Sequence, residues 1–385
     1  MVGFEKWSTL ESNERLGIAI LVVVAYGMIL SDCFEFFGSW ITGLKYLALG
    51  IMASYLIYKA AKEKINLSRF ALVLVAFNIL VVDCFFQSVQ PSTVLSIGLF
   101  SLVALFALLG NFSFQSYKAF YYCGVACALL IGLLLLLSFS ECVSQMTFYL
   151  ATGRARLKGC FSNANSLGHI SAVVFAMLLI ARIRFCRERR NKRTVLFFLA
   201  LCVVYIALSG SRTAQACAAS FALISIYFSL ESRFRSGNAK TIGRLLVILM
   251  IILVATSSFQ SVLDDYTLTG RIIGWNNLGS LESFFGYGYA SSSDASLITS
   301  VAGGNVEMLW MSAYYRVGIV GMIAYGVMLI GATWTKTKKG YLIFAFLIFL
   351  LAQSLGESYL TSVMSFPSLF EWLILASLSS LESSH

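Results

Sequence analysis

The chain has 385 residues, of which 59% are apolar and 12% are charged, and its mean hydropathy is +0.83. A water-soluble globular protein is about 45–50% apolar and about 25% charged, so this composition excludes a soluble domain, a disordered chain and a disulfide scaffold. The net charge of +10 does not indicate nucleic-acid binding, because the basic residues lie in short connectors between apolar segments. The composition therefore predicts an all-α, polytopic integral membrane protein.

Apolar segments with few charges recur along the whole chain and predict its transmembrane helices. A helix needs about 20 apolar residues to cross the hydrocarbon core. No internal repeat and no separate soluble domain is visible, so we predict that residues 1–385 form a single membrane domain. We predict twelve spans, at 16–31, 41–58, 70–86, 93–117, 119–140, 159–181, 194–211, 213–230, 245–263, 317–335, 341–356 and 368–380.

The distribution of Lys and Arg predicts the orientation of these spans. When the N-terminus is placed in the cytoplasm, most of the 28 Lys and Arg residues fall in cytoplasmic connectors. This is the positive-inside pattern, and it places both termini in the cytoplasm. A small set of cations remains on the outer side without a topological explanation: Lys45, Arg154, Arg156, Lys158, Arg212, Arg271 and Arg316.

Two predicted outer loops are long enough to build a site, one at about 140–163 and a larger one at about 257–305, between spans 9 and 10. Cys142 and Cys160 share the first loop and can form a disulfide if that side is oxidising. The chain has only two His, so a His-rich metal site is excluded and we predict no metal.

The first candidate segment precedes the sixth predicted span and contains Arg154, Arg156, Lys158, Asn163 and Asn165. Cations beside the backbone N–H groups of a helix N-terminus suit a phosphate. The alternative is a solvated loop that ends in an Asn cap.

The second candidate segment is the tight outer joint Ser209-Gly210-Ser211-Arg212 between two spans. The short joint places Arg212 near the membrane surface, where its planar guanidinium can bind two phosphate oxygens at once. The alternative is an Arg that extends to the lipid headgroups.

The third candidate segment lies in the larger outer loop. It contains Thr269-Gly270-Arg271 with Trp275, followed by Gly286-Tyr287-Gly288-Tyr289. The alternative interpretation is a surface loop with an aromatic belt.

The fourth candidate segment begins near Glu307, at the outer mouth of the tenth span, and continues through Tyr314 and Tyr315. A carboxylate partly withdrawn from water can act as a base near neutral pH. The alternative is a Glu stabilised by the helix dipole. Other ionisable residues near outer ends are interpreted as caps, packing partners or headgroup contacts: Asp32, Glu35, Asp83, Glu141, Glu357 and His169.

Together these segments resemble the superfamily of O-antigen polymerases and O-antigen ligases. Its members show Arg-x-x-Gly-x-Phe-x-Asn-x-Asn, then Ser-x-Ser-Arg, then Thr-Gly-Arg with a downstream Trp, then Gly-x-Gly, and finally a Gly-Ile-Val-Gly turn. The matching positions, over roughly 150–325, are Arg156, Gly159, Phe161, Asn163 and Asn165; Ser209, Ser211 and Arg212; Thr269, Gly270, Arg271 and Trp275; Gly286 and Gly288; and Gly318 to Gly321.

One of two departures from the superfamily pattern bears on the choice between its branches. Ligases carry a His-Asn pair eleven residues before the first Gly of the turn, and Glu307 stands at that place here. This suits a polymerase, in which the residue at that position varies more. The Pro that separates the two Asn in the family is replaced by Ala164.

The resemblance implies a membrane glycosyltransferase with a GT-C-like fold. It implies transfer of a growing glycan from undecaprenyl diphosphate to a sugar hydroxyl of an incoming repeat unit on the same lipid. Arg212 and Arg271 would stabilise the leaving diphosphate, with help from Arg156 or Lys158, and Glu307 would take the hydroxyl proton. Because the diphosphate bond is already activated, no cofactor is expected. Aromatic residues would pack on sugars or the polyprenyl chain: Trp275, Tyr287, Tyr289, Tyr314 and Tyr315.

The same resemblance implies a bacterial inner membrane location, with the active site facing the periplasm and membrane lipid as a partner. Two other functions stay open: a ligase that moves glycan onto lipid A core, and a flippase or other transporter. Transporters more often show repeats and charged or broken helices at mid-membrane, which favours the transferase. The sugars, the linkage, the oligomeric state and the binding of a chain-length regulator protein are left open.

Overall fold

The computed structural model describes residues 11–62, 67–86, 98, 101–102, 105, 116–152, 156–186, 188–231, 241, 243, 309–333, 340–354 and 365–381. These residues form helices and short connections, with no strand among them. The predicted spans at 93–117 and 245–263 lie almost wholly outside this set, as does the predicted loop at 257–305.

The described chain confirms the predicted all-helical class. Six helical segments are long and apolar enough to cross a membrane, and four others are shorter apolar helices, so the chain fits a polytopic membrane protein. The number of spans stays a prediction. The helices are α1 Ser12–Ser31, α2 Phe34–Phe37, α3 Gly43–Lys62, α4 Leu67–Phe86, α5 Tyr117–Leu137, α6 Phe139–Thr152, α7 Ala164–Arg184, α8 Arg189–Ser209, α9 Arg212–Glu231, α10 Leu309–Thr333, α11 Tyr341–Ser354 and α12 Phe366–Leu381, with a 3₁₀ turn at Ser39–Thr42.

Helix α7 forms the centre of the bundle. Every residue from 166 to 181 is buried, which fits a helix whose apolar residues occupy all faces rather than one stripe. It packs against α5, α8, α9 and α12. Gly168 allows a close approach to the joint between α8 and α9, because a Cβ there would lie 2.7 Å from the Oγ of Ser209 and 2.7 Å from the Cβ of Ser211.

The remaining helices pack around this centre in pairs. Helix α1 packs against α3 and α5, α4 against α10, and α9 against α11. Large apolar side chains project outward from these helices, including Leu47, Leu136 and Phe197, each at least 60% exposed. Such side chains are expected where a helix faces lipid, since the backbone hydrogen bonds are already made within the helix.

One end of the bundle, which we call the Arg184 end, is marked by aromatic contacts. The rings of Tyr121 and Phe185 lie 5.7 Å apart, and the Arg184 guanidinium lies 4.8 Å from the Tyr341 ring centre. Tyr341 also stacks on Phe228. The starts of α5 and α11 and the ends of α7 and α9 therefore meet here, beside the basic connector that the positive-inside rule assigns to the cytoplasm.

The opposite end, which we call the Asp32 end, joins the end of α1 to the start of α7 and the end of α8 to the start of α9. The Ser162 N–H donates to the Asp32 carbonyl oxygen at 2.9 Å, and the Leu157 N–H donates to the Leu208 carbonyl oxygen at 3.0 Å. The first two candidate segments thus lie at one end of the bundle, away from Arg184.

Three local features differ from or refine the sequence prediction. The predicted outer loop at 140–163 contains helix α6, which begins directly after α5. The sixth predicted span, placed at 159–181, begins only at Ala164, because Asn163 caps α7 and the preceding residues form a turn. Helix α10 is interrupted at Gly318, with φ 63° and ψ −166°, the first residue of the Gly-Ile-Val-Gly motif that carries part of the resemblance.

Candidate functional site

The loop from 156 to 163 is held in place by hydrogen bonds from its own backbone. The N–H groups of Lys158 and Gly159 donate to Gln145 Oε1 of α6 at 2.9 and 3.0 Å. Gly159 has φ 58°, and a Cβ there would lie 2.7 Å from Leu135 Cδ2. Only glycine fits this position without strain, so the turn is fixed by sequence.

The two Asn of the first segment have different structural roles. Asn163 is the N-cap of α7, and its Oδ1 accepts a hydrogen bond of 2.7 Å from the Ser166 N–H. Asn165 Oδ1 accepts a hydrogen bond of 3.3 Å from Arg156 Nη1. Asn163 therefore has the capping role given above as the alternative, whereas Asn165 orients a candidate cation.

The Ser209–Arg212 joint closes against the first segment. Gly210 ends α8 in the left-handed conformation, with φ 61°, and a Cβ there would lie 3.1 Å from Arg156 Cγ. The buried Ser211 caps α9 by accepting a hydrogen bond of 3.4 Å from the Ala214 N–H. Two segments about fifty residues apart in sequence thus meet at the Asp32 end.

The candidate cations of these two segments reach the surface of this end. Arg156 and Arg212 are exposed, and Arg212 is the first residue of α9. Lys158 forms an ion pair of 2.7 Å with Glu35. The N-termini of α7 and α9, which carry partial positive charge, lie at the same end as these cations.

The other candidate residues are only partly described. Tyr314 is half-buried in α10, and the backbone of Tyr315 belongs to the same helix. Arg154, Arg271, Trp275, Tyr287, Tyr289 and Glu307 lie outside the described residues. The predicted convergence of Arg212, Arg271 and Glu307 therefore stays a prediction.

The Asp32 carboxylate is more shielded from solvent than its position after an apolar span indicated. Its Oδ1 accepts hydrogen bonds from Ser162 Oγ at 2.9 Å and from Ser166 Oγ at 3.4 Å. Although the residue as a whole is partly exposed, Oδ2 is shielded from solvent and accepts no hydrogen bond within the described chain. Burial raises the pKa of Asp32 to about 6. The available signal was a carboxylate directly after an apolar span.

A second polar group, buried between α7, α11 and α12, was not identified as a group from the sequence. Gln353 Nε2 donates to Glu371 Oε1 at 2.6 Å and lies 3.3 Å from His169 Nδ1. All three side chains are almost fully buried. The sequence signal for this group was Glu371, a carboxylate inside the apolar segment 368–380, because a carboxylate within a membrane span is energetically costly.

The cysteines do not show the pairing that the sequence suggested. Cys142 and Cys160 are free thiols, and Cys160 Sγ lies 3.5 Å from Cys33 Sγ. Cys142 Sγ instead contacts Ser138 Oγ and the Leu135 carbonyl oxygen. Among the described residues, no group of three or more His, Cys, Asp or Glu is arranged to hold a metal ion.

Comparison with protein-family models gives no match for this chain, and comparison with curated proteins gives none either.

Proposed function

We propose that this chain is a membrane glycosyltransferase that polymerises lipid-linked oligosaccharide repeat units. The donor is a growing glycan on undecaprenyl diphosphate, and the acceptor is a single repeat unit on the same lipid. The enzyme lies in a bacterial inner membrane, its active site faces the periplasm, and the Asp32 end is the periplasmic end.

One observation carries this proposal: the meeting of residues 156–165 with the joint at 209–212. The resemblance assigns both segments to diphosphate binding, and the fold brings them to the same end of the bundle. Arg156 packs against Gly210, two residues before Arg212, and both arginines are exposed. Two arginines at the end of the bundle that holds two helix N-termini suit the diphosphate of a lipid carrier.

The reaction follows from the chemistry of that substrate. A sugar hydroxyl of the acceptor attacks the anomeric carbon of the donor, its proton passes to Glu307, and the carbon–oxygen bond to the diphosphate breaks. The leaving diphosphate takes the electron pair, and Arg212 and Arg271 stabilise the charge that grows on it. A single displacement of this kind inverts the configuration at the anomeric carbon.

The proposal is tested in a strain that lacks the chain and is complemented with wild type, Arg212→Ala or Glu307→Gln. Wild type should restore long glycan chains, whereas both variants should leave single repeat units although the protein inserts at normal levels. Gln215→Ala is the control for Arg212, because Gln215 is an exposed residue of the same helix, and it should restore long chains.

Other results separate the alternatives. Normal glycan ladders from both variants would refute the catalytic assignment. Loss of all repeat units from the lipid A core in the deletion strain would indicate a ligase or flippase. Movement of the lipid-linked unit in sealed vesicles without a new glycosidic bond would indicate a transporter.

A further inference from the structure

A cavity of about 320 Å³ opens at the Asp32 end, between the end of α1, the start of α3 and the start of α12. No candidate segment from the sequence includes it. Small-molecule sites span roughly 300–1,000 Å³, so this cavity is large enough for one small polar unit and too small for a whole lipid-linked oligosaccharide.

The polar residues of this cavity come from several elements. Ser31 and Asp32 close α1, Thr42 ends the 3₁₀ turn, and Lys45 lies in the first turn of α3. Ser166 lies in the first turn of α7, and Ser365 directly precedes α12. Asp32 Oδ2 is shielded from solvent and accepts no hydrogen bond within the described chain. A shielded carboxylate oxygen without a donor is uncommon, and a small rotation of the side chain would bring it within reach of a hydroxyl in the cavity.

The apolar part of the wall complements these groups. Phe34 and Phe366 line the cavity together with Met28 and Ile170. A pocket with apolar walls and a few convergent polar groups suits a ligand that has both C–H faces and hydroxyl groups. A monosaccharide has this character, whereas a lipid tail would leave the Asp32 carboxylate without a donor.

The cavity also adjoins the candidate diphosphate site through a short chain of contacts. Ser162 donates hydrogen bonds to both the carboxylate and the carbonyl oxygen of Asp32. Ser162 belongs to the same loop as Arg156 and Lys158. A sugar in the cavity would therefore lie beside the cations that bind the leaving group.

From this arrangement we infer that the cavity is the acceptor subsite of the proposed transferase. It holds the terminal monosaccharide of the incoming repeat unit. A rotation of the Asp32 carboxylate turns Oδ2 toward the cavity to accept from a sugar hydroxyl, and Lys45 faces an oxygen of the same sugar. Asp32 is a binding residue here, and the proton acceptor remains Glu307. This inference rests on the proposed function.

The kinetic test uses purified chain, long lipid-linked glycan from wild-type cells as donor, and labelled single units from a deletion strain as acceptor. Asp32→Asn keeps the acceptor for Ser162 but replaces Oδ2 with an N–H₂ group that only donates. It should raise the acceptor KM about 10- to 100-fold and leave the donor KM unchanged, the usual size for a lost hydrogen bond to a charged group. Glu141→Gln, an exposed carboxylate of α6, should change neither value.

A labelling test covers the case in which Asp32→Asn fails to fold. Thr42→Cys places a thiol on the cavity wall, and Trp40→Cys places one on the same 3₁₀ turn, where Trp40 is 72% exposed and does not line the cavity. The single-unit lipid should slow maleimide labelling at position 42 but not at position 40.

The two proposals fail in different ways. If wild type transfers no labelled unit, the proposed function is wrong, and labelling at position 42 still reports whether the cavity binds the unit. If wild type is active and Arg212→Ala is inactive, an unchanged acceptor KM in Asp32→Asn overturns the subsite. A labelling rate at position 42 that the lipid leaves unchanged, or that it slows as much as the rate at position 40, overturns the subsite independently.

Discussion

Ser162 donates two hydrogen bonds to Asp32, from its hydroxyl to carboxylate Oδ1 at 2.9 Å and from its backbone N–H to the carbonyl oxygen at 2.9 Å. These bonds join the end of α1 to the loop that precedes α7. The pKa of the Asp32 carboxyl is raised to about 6, mainly by burial, while the hydrogen bonds from Ser162 and Ser166 oppose the shift and Glu35 adds to it.

We expect Asp32 to make stability depend on pH. The folded chain holds the carboxyl proton more tightly than the unfolded chain, so the free energy of unfolding should fall as pH rises from about 4 to about 6. A shift of about two pKa units corresponds to about 3 kcal/mol once the group is fully ionised. Between about pH 4.5 and about pH 7.5, wild type should lose about 2 kcal/mol relative to Asp32→Asn, as measured by thermal unfolding in detergent.

Ser162→Ala tests the hydrogen bond that opposes the raised pKa of Asp32. Removing the hydroxyl takes away a hydrogen bond to the ionised form, so the pKa of Asp32 should rise further and the loss of stability should extend to higher pH. Parallel pH profiles for wild type and Asp32→Asn would contradict the assignment.

Gly318 should tolerate no side chain, because its φ of 63° and ψ of −166° lie in a region that only glycine adopts readily. Gly318→Ala should lower the free energy of unfolding by about 1–3 kcal/mol. Thermal unfolding in detergent measures this loss, and the fraction of protein that inserts reports a severe defect.

Gly326→Ala is the matched control in the same helix. A Cβ at Gly326 meets nothing within 4 Å, and its φ is not in the positive range. Alanine is favoured over glycine in a helix interior by about 1 kcal/mol, so this variant should be as stable as wild type or more so. Equal destabilisation by both substitutions would show that the positive φ of Gly318 is not the cause of the lost stability.

The helices were predictable because their signal is local. The span predicted at 194–211 corresponds to α8 at Arg189–Ser209, and its end is set by Gly210, whose left-handed conformation suits glycine. The turn at Gly318 was indicated only by the resemblance, through its Gly-Ile-Val-Gly motif. In contrast, α6 was hidden in a predicted loop, since polar residues such as Glu141 and Gln145 interrupt its apolar pattern.

The site was less predictable because its contacts are not local. Ser162 and Asp32 are 130 residues apart, and no spacing rule connects them. The same applies to His169 and Gln353, which are 184 residues apart. Sequence pattern singled out Arg156 and Arg212 as candidates, but the cavity that Asp32 lines arises from helix packing that only the fold specifies.

Gln353 should stabilise the fold, because it joins the other two members of the buried polar group, His169 and Glu371. Its amide donates to Glu371 and contacts His169, so Gln353→Leu would leave buried polar atoms without this partner. Each such atom costs about 1–3 kcal/mol, and we expect a loss of that size or larger in thermal unfolding. Gln215→Leu, at an exposed position of α9, should change stability little. A stable Gln353→Leu protein would show that the group is not needed for folding.

Oxidation should link Cys160 to Cys33 rather than to Cys142. The two thiol sulfurs lie 3.5 Å apart, so an approach of about 1.5 Å forms the bond, since a disulfide has an S–S length of about 2 Å. Both thiols are buried, and the reaction should therefore be slow until local opening admits the oxidant. After treatment with ferricyanide, mass spectrometry of unreduced peptides should identify Cys33 joined to Cys160. Cys142→Ser should leave this peptide intact and Cys33→Ser should abolish it, whereas a Cys142–Cys160 peptide from wild type would contradict the observed packing of the loop.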